Sequence, residues 1–376
     1  MGDNRRMRKR IAFLVALVIA PAAYAADPAG CAASVVEQYF RAHSAPATSL
    51  AVAAKGQLVV SSGWGSAELD NAVPATGATV YNIGSISKVN TAVAVMQLVE
   101  DKKVSLDDAI QKYVQGFPDK GSPITIRNVM THTSGIRHYR EHDFPGGPYA
   151  ENMMPYASID DAIKVFKDDP LLFKPGEFYS YSSYAVNLLQ GVVERASGLP
   201  FEDYMRRYVW LPAGMQSTQF DRPERIVAHR ARGYRVKDGK TTNEPYGDVS
   251  YKLASGGVIS TVEDLVRLGT ALNEGRLLKP QTAEAMYAVQ IDPVMAFNAG
   301  GPPRKQNFQM ALLWREQHDE AGRRFVHHCG SVKSFQSCLV NFPDQNVVAA
   351  VAGNSDDGPG LRTAIDAAHC FLEAGQ

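Results

Sequence analysis

The stretch Ser85-Ile86-Ser87-Lys88 places a serine and a lysine three residues apart at the start of an apolar helical pattern. The pattern over residues 85–100 predicts a helix, on which side chains three residues apart lie on one face. A serine hydroxyl is a weak nucleophile until a base takes its proton, and a neutral lysine beside it can act as that base. The positive end of the helix dipole favours the neutral amine and the developing alkoxide.

Taken alone, this tetrad has a simpler explanation, an N-cap serine followed by a surface lysine. A chain of 376 residues is expected to contain roughly one or two such matches by chance. The interpretation therefore depends on the rest of the chain.

The composition is that of a globular enzyme, with 45% hydrophobic residues, 21% charged residues and a formal net charge of zero. No long basic run follows the N-terminal segment, so the sequence offers no basis for nucleic-acid binding. The expected partner is a small-molecule or peptide substrate, and no motif fixes the oligomeric state.

The N-terminus has the pattern of a targeting segment. A basic stretch at residues 5–10 precedes an apolar core at 11–20 and the small-residue site Ala23-Tyr24-Ala25. The apolar core is short for a membrane span. We expect residues 1–25 to be a signal peptide and the mature chain to be periplasmic or secreted, without a stable membrane span; an uncleaved anchor is the alternative.

The four cysteines of an exported protein suggest two disulfides. Cys31 lies in or just before a predicted N-terminal helix (32–42), and Cys370 lies in a predicted C-terminal helix (361–373). Cys329 and Cys338 flank a hairpin-like segment. We therefore predict the pairs Cys31–Cys370 and Cys329–Cys338, against the alternative of four free buried thiols.

Strand patterns occur at both ends of the chain, and they predict one antiparallel sheet that is flanked by helices in an α/β (α+β) fold. The predicted strands are 49–54, 57–62, 309–314, 324–328, 337–342 and 347–352. The α/β part would comprise about 26–105 and 222–376, within a single domain over 26–376. A mainly helical region at about 106–221 would be inserted between them.

A Pro-Gly turn at residues 175–176 leads into a loop rich in tyrosine and serine. A tyrosine near the serine–lysine pair can act as a base or proton shuttle. From the residues alone, Tyr179, Tyr181 and Tyr184 are equal candidates, and aromatic packing is the simpler alternative for each.

A second candidate segment is His327-His328-Cys329-Gly330-Ser331, on a predicted strand. A strand edge beside a nucleophile can offer a backbone N–H to an oxyanion, and glycine permits a close approach. A partly buried histidine in a sheet is the simpler alternative.

The order Ser-x-x-Lys, Pro-Gly-x4-Tyr-x-Ser, His-x-Gly resembles the serine beta-lactamase and penicillin-binding-protein superfamily, in its class C and D,D-peptidase-like branch. The resemblance covers nearly all of the mature chain and includes the stretches 81–88, 131–135 and 255–261. The run Ser134-Gly135-Ile136-Arg137-His138-Tyr139 is most similar to the lactamase-beta (LACTB) group. The implied fold is the beta-lactamase/transpeptidase-like fold.

The resemblance implies that Ser85 is the acylated nucleophile, Lys88 its base partner and Tyr181 the catalytic tyrosine. The oxyanion would be held by the backbone N–H groups of Ser85 and Ser331, the latter next to Gly330. No cofactor or metal is implied.

Two positions depart from the lactamase pattern. Ser183 stands where those enzymes usually have asparagine, and His328 stands where they usually have lysine. Histidine is only partly charged near neutral pH, and the loss of the asparagine removes an amide that would contact an acylamide. Lys333 is a candidate to restore the positive charge.

A competing pattern is His138-Tyr139-Arg140-Glu141-His142, which spells the His-x-x-Glu-His of zinc peptidases. The sequence Asp143-Phe144-Pro145-Gly146 interrupts any helix there, so we expect a polar loop at the rim of the site. We likewise expect His132 to stabilise a turn.

Together these patterns predict a serine hydrolase that forms an acyl-enzyme on an amide or ester, of peptidase or esterase type. A D-amino-acid or peptidoglycan-type peptide is a candidate substrate. A true beta-lactamase is one alternative, and a catalytically weak binding or scaffold protein of the same fold is the other.

Overall fold

The computed structural model describes residues 27–144 and 152–373. Its helices are α1 (Pro28–Ala42), α2 (Ser87–Glu100), α3 (Ile126–Met130), α4 (Ile159–Ala162), α5 (Ser183–Ser197), α6 (Phe201–Tyr204), α7 (Leu211–Ala213), α8 (Leu253–Gly256), α9 (Val262–Asn273), α10 (Pro280–Tyr287) and α11 (Leu361–Glu373). Its strands are β1 (Ala47–Ala54), β2 (Gln57–Glu68), β3 (Val73–Pro74), β4 (Tyr81–Asn82), β5 (Gln219–Phe220), β6 (Tyr234–Lys237), β7 (Lys240–Asn243), β8 (Val258–Ser260), β9 (Met295–Ala296), β10 (Arg304–Lys305), β11 (Gln309–Met310), β12 (Arg315–His318), β13 (Arg324–Val332), β14 (Phe335–Phe342) and β15 (Val347–Gly353).

The main sheet joins the two ends of the chain. Its strand order is β11-β12-β13-β14-β15-β1-β2-β3, and the antiparallel pairing of β1 with β15 places Leu50 opposite Val351. The predicted antiparallel sheet of N- and C-terminal strands is therefore confirmed.

The prediction of one strand over 309–314 is wrong. The chain forms only the short strand β11 there, turns through Leu313 with a φ of 62°, and starts β12 at Arg315. Residues Ala311 to Trp314 are fully buried, so the apolar pattern reflects burial rather than an extended strand.

Successive residues of β1 point to opposite faces of this sheet, and helices pack against the apolar side chains on both faces. Leu50 and Val52 belong to an apolar cluster with residues of α1 and α11. Ala51 and Ala53 belong to a larger cluster that includes α2, α5 and α9. The helix α2 thus lies inside the protein, which explains why its sequence is apolar nearly all round.

Among the described residues, no strand occurs between α2 and β5, as expected for the predicted helical region. The division of the chain into 26–105 plus 222–376 and an insert at 106–221 stays a prediction.

Both predicted disulfides are present. Cys31 in α1 is bonded to Cys370 in α11, and Cys329 is bonded to Cys338, which lies opposite it on β14. The predicted signal peptide lies outside the described residues. Within the described ranges, no helix has the length and apolar character needed to cross a bilayer.

Candidate active site

Ser85 lies at a sharp turn between β4 and α2. Gly84 has a φ of +48°, a conformation that favours glycine, and residues Gly84–Ile86 form a single 3-10 turn before α2 begins at Ser87. Ser87 Oγ donates a hydrogen bond to the carbonyl oxygen of Gly84 at 2.7 Å. The predicted helix therefore starts two residues later than the sequence suggests, and the turn presents the Ser85 side chain.

Lys88 is fully buried, with 0% exposure, and its amine contacts Ser85 directly. Nζ lies 3.1 Å from Ser85 Oγ, 2.9 Å from Ser183 Oγ and 2.7 Å from the carbonyl oxygen of Ser255. The alternative of an exposed surface lysine is therefore wrong.

The surroundings of Lys88 favour its neutral form. Burial, assisted by the positive charge of Arg315, lowers the pKa of Lys88 well below its usual 10.5. A neutral amine has two N–H donors and one lone pair. The Ser255 carbonyl takes one donor and Ser183 Oγ can take the other, which leaves the lone pair for the hydroxyl proton of Ser85.

Tyr181 contacts the same serine from another side. Its hydroxyl donates a hydrogen bond to Ser85 Oγ at 2.7 Å. Tyr184 instead donates to Asp143 Oδ2 at 2.7 Å, and the ring of Tyr179 packs 5.8 Å from that of Phe308. Of the three candidate tyrosines, only Tyr181 is placed to exchange a proton with Ser85.

Burial raises the pKa of Tyr181, although its hydrogen bond with Ser85 and the charge of Arg315 oppose this shift. The Arg315 guanidinium lies 5.8 Å from the centre of the Tyr181 ring. A phenol that keeps its proton at rest can relay a proton once a stronger base has acted. We therefore expect Lys88 to be the first proton acceptor and Tyr181 to act as its relay.

Two glycines bring β13 against the nucleophile turn. A Cβ atom on Gly330 would lie 2.0 Å from the carbonyl oxygen of Ile83 and 2.8 Å from the backbone nitrogen of Ser85. A Cβ atom on Gly84 would lie 2.9 Å from the backbone nitrogen of Ser331. This close approach brings the backbone nitrogen atoms of Ser85 and Ser331 to the point where β13 meets the nucleophile turn. Their joint role as an oxyanion site stays a prediction.

The two residues that depart from the lactamase pattern have different environments. The hydroxyl of Ser183 contacts Lys88, as described above, whereas His328 is only 1% exposed. The Nδ1 atom of His328 lies 2.7 Å from the carbonyl oxygen of Cys329. Burial, with the charges of Arg315 and Lys88, lowers the pKa of His328 well below 6.5. The imidazole is therefore neutral, and a direct contact between His328 and substrate stays a prediction.

Two other histidines accept hydrogen bonds from the backbone near Tyr181. Nδ1 of His138 accepts from the N–H of Ser183 at 3.2 Å, and Nδ1 of His132 accepts from the N–H of Ser182 at 3.3 Å. Over 27–144 and 152–373, no group of three or more His, Cys, Asp or Glu side chains is arranged to hold a metal ion.

A cavity of about 290 Å³ opens at Ser85. Its wall includes Ser183, Ser331 and Lys333, together with His138 from the predicted rim loop. It also includes Lys252, which sequence reasoning missed, as it missed Arg315. Neither residue belongs to a recognisable motif: Lys252 is the last residue of the 3-10 turn Ser250–Lys252, and Arg315 follows the segment in which the strand prediction was wrong.

Comparison with known proteins agrees with this fold. The family model described as Beta-lactamase matches residues 32–371. The chain is 30% identical to the mitochondrial serine beta-lactamase-like protein LACTB of Homo sapiens over 384 residues, which cover 80% of this chain and 69% of that protein.

Two solved structures extend the comparison. The octameric penicillin-binding protein homologue from Pyrococcus abyssi superimposes with a TM-score of 0.79 at 27% identity, covering 92% of this chain and 77% of that one. The D-amino acid amidase from Ochrobactrum anthropi has a TM-score of 0.75 at 20% identity, covering 93% and 100%, and this similarity concerns the fold alone.

The chain therefore belongs to the Beta-lactamase family, within the superfamily of serine beta-lactamases and penicillin-binding proteins. The predicted resemblance to the LACTB group is confirmed by the match to the human protein.

Proposed function

We propose that this protein is a serine hydrolase that cleaves an amide or ester through an acyl-enzyme on Ser85. The observation that carries this proposal is the pair of contacts at Ser85 Oγ, with Lys88 Nζ at 3.1 Å and Tyr181 Oη at 2.7 Å. A buried amine with a lowered pKa is the activating group that a serine nucleophile needs. We propose further that the protein is exported, which its two disulfides support.

In the acylation step, Lys88 takes the hydroxyl proton as Ser85 Oγ forms a bond to the carbonyl carbon. The carbonyl oxygen gains the negative charge and is held by the backbone N–H groups of Ser85 and Ser331. The bond to the leaving group then breaks, and Tyr181 passes a proton to the departing amine or alkoxide. Lys88 replaces the proton of Tyr181, so the site returns to its starting charge.

In the deacylation step, water replaces the leaving group and loses a proton to the same pair. Its oxygen bonds to the acyl carbon, the ester bond to Ser85 Oγ breaks, and Ser85 regains a proton. Neither step, as proposed, uses a cofactor.

A peptidase or esterase fits this site better than an efficient beta-lactamase. Ser183 offers a hydroxyl that already contacts Lys88, whereas an asparagine would offer an amide to the substrate. The neutral and buried His328 does not supply the cation that a lysine would supply at that position. Peptides with a D-amino acid or of peptidoglycan type are the first substrates to screen.

A fluorophosphonate probe tests the proposal directly. We expect one adduct at Ser85, located by peptide mass spectrometry, and its loss in Lys88→Ala and in Ser85→Ala. The matched control is Ser105→Ala, which changes an exposed serine and should label like the parent protein. A folded protein that is not labelled would support the scaffold alternative, and rapid nitrocefin hydrolysis would support a true beta-lactamase.

A further inference from the structure

Two hydrogen bonds hold the backbone beside Tyr181 to a neighbouring loop. Tyr181 directly precedes Ser182, which is the N-cap residue of α5. The Oγ atom of Ser182 donates a hydrogen bond to the carbonyl oxygen of Arg137 at 2.8 Å, and the N–H of Ser183 donates to Nδ1 of His138 at 3.2 Å. The position of Tyr181 therefore depends on the loop that contains both partners.

This rim loop, defined as residues 137–143, is folded around one carboxylate, that of Asp143. Its Oδ2 atom accepts hydrogen bonds from Nη1 of Arg137 at 2.8 Å and from the N–H of Arg140 at 2.7 Å. It also accepts from the hydroxyl of Tyr184 at 2.7 Å. The first two bonds close the loop on itself, and the third joins the loop to the first turn of α5.

The ion pair at the centre of the rim loop is buried. The side chains of Arg137 and Asp143 are each only 7% exposed, and Nε of Arg137 also donates to Asp169 Oδ2 at 2.7 Å. Burial raises the pKa of Asp143, but the hydrogen bonds that it accepts, first that from Arg137, hold this pKa below its usual 3.8. The carboxylate is therefore ionised near neutral pH, where its bonds to the loop are charge-assisted.

The rim loop also packs against the aromatic ring of Tyr181. The ring of His138 lies edge-on to it, with a centroid distance of 5.3 Å, and the ring of Tyr139 lies edge-on to that of Tyr184 at 4.7 Å. A shift of the rim loop would therefore move the backbone partners and a ring neighbour of Tyr181 together. The hydrogen bond of 2.7 Å from Tyr181 to Ser85 Oγ would change with them.

We propose that Asp143 is a positioning residue that, through Arg137 and Tyr184, holds Tyr181 where it can pass a proton to the leaving group. The inference rests on the proposed hydrolase function, because Tyr181 has this task only in that mechanism. A leaving group such as 4-nitrophenolate departs as a stable anion, whereas an alkoxide or an amine needs a proton. A displaced Tyr181 should therefore slow the cleavage of alkyl esters and amides more than that of activated esters.

The size of the effect follows from the contribution of a positioned proton donor. Such a group contributes about 10²- to 10⁴-fold to a rate, and a hydrogen bond of 2.7 Å that is lengthened by about 1 Å no longer transfers its proton efficiently. A partial displacement of Tyr181 is enough for a tenfold effect. A purely structural role of Asp143 would instead lower the rates with all substrates by the same factor.

The experiment compares kcat/KM for benzyl acetate and for 4-nitrophenyl acetate in the parent protein and in Asp143→Ala. Both esters form the same acetyl-enzyme, so they differ only in the leaving group. In Asp143→Ala we expect the ratio of benzyl to 4-nitrophenyl ester cleavage to fall about tenfold or more. Asp143→Asn keeps an oxygen acceptor and should recover part of this ratio. An unchanged ratio in a folded Asp143→Ala protein would overturn the proposal.

Asp319→Ala is the matched control. The side chain of Asp319 is 3% exposed and pairs with Arg323 at 2.7 Å, in the turn between β12 and β13. Its loss should lower the temperature of unfolding without changing the ratio of the two esters.

Tyr184→Phe provides a second test if Asp143→Ala does not fold. This variant removes only the hydroxyl that joins Asp143 to α5. The ratio should fall by about threefold or more, as the loss of one hydrogen bond allows. An unchanged ratio in the folded variant would refute the positioning role.

The outcomes also separate this inference from the hydrolase proposal. A parent protein that is not labelled by the fluorophosphonate and cleaves neither ester would sink both. A parent that cleaves both esters, with the same ratio in the variants, would leave the hydrolase proposal standing and remove the role of Asp143. A parent that cleaves only 4-nitrophenyl acetate would show that no proton reaches the leaving group, which would also remove that role.

Discussion

Gly330→Ala offers a sharp test of the oxyanion site, because it adds one methyl group where β13 meets the nucleophile turn. The new Cβ would lie 2.0 Å from the carbonyl oxygen of Ile83 and 2.8 Å from the backbone nitrogen of Ser85. Both are backbone atoms, so no flexible side chain can move aside. The strand and the turn must separate.

The size of that separation follows from the distance between the added Cβ and the carbonyl oxygen of Ile83. Since Cβ atoms essentially never lie within 3.0 Å of such neighbours, the two backbones must move apart by about 1 Å. A hydrogen bond of about 2.9 Å that is lengthened by this amount is no longer a hydrogen bond. The loss of one of two oxyanion donors lowers kcat by about 10²- to 10³-fold, or roughly 3–4 kcal/mol of transition-state stabilisation.

The assay is the rate of ester hydrolysis, or of fluorophosphonate labelling at Ser85, together with a thermal unfolding curve. Gly300→Ala is the matched control, because a Cβ atom there has no neighbour within 4 Å. A folded Gly330→Ala protein that hydrolyses ester at more than half of the parent rate would refute the oxyanion assignment.

Two further predictions concern the protonation of Lys88 and the contribution of the two disulfides to stability. Because the pKa of Lys88 is lowered well below 10.5, the acylation rate in a pH–rate profile should rise with pH well below pH 10.5. Arg315→Met should shift this rise to higher pH, because it removes a positive charge that lowers the pKa of Lys88. A rise that stays at the same pH in the variant would contradict the role of Arg315. Replacing both Cys31 and Cys370 by serine should lower the free energy of unfolding by about 2–5 kcal/mol. The loss should exceed that from removing Cys329–Cys338, because the first disulfide joins residues 339 positions apart and the second joins residues 9 positions apart. Guanidinium unfolding that gives the reverse order would exclude this loop-closure explanation.

The sequence predicts the fold well where pattern and topology constrain each other. The terminal strands have apolar patterns, and each needs a partner; the pairing of β1 with β15 provides it. The positions of Cys31 and Cys370 in the two terminal helices then require those helices to be neighbours. The 309–314 segment shows the limit, because an apolar run cannot distinguish a buried turn from a buried strand.

The candidate site likewise has parts that the local sequence predicts and parts that it does not. Ser85 and Lys88 are close in sequence, so their contact follows from local geometry, although the extra turn at Gly84 does not. From the residues alone, Tyr181 is one of three equivalent tyrosines, and only the resemblance to the family selects it. Its distance of 2.7 Å from Ser85 Oγ depends on how the loop before α5 packs on α2, which no local pattern encodes.

The sequence does not reveal the burial of Lys252 or the position of Arg315, for a physical reason. A lysine or arginine in sequence is normally an exposed cation, and only tertiary burial changes its protonation or aims its charge. Arg315 affects Lys88 and Tyr181 although it lies on a strand far from both in sequence.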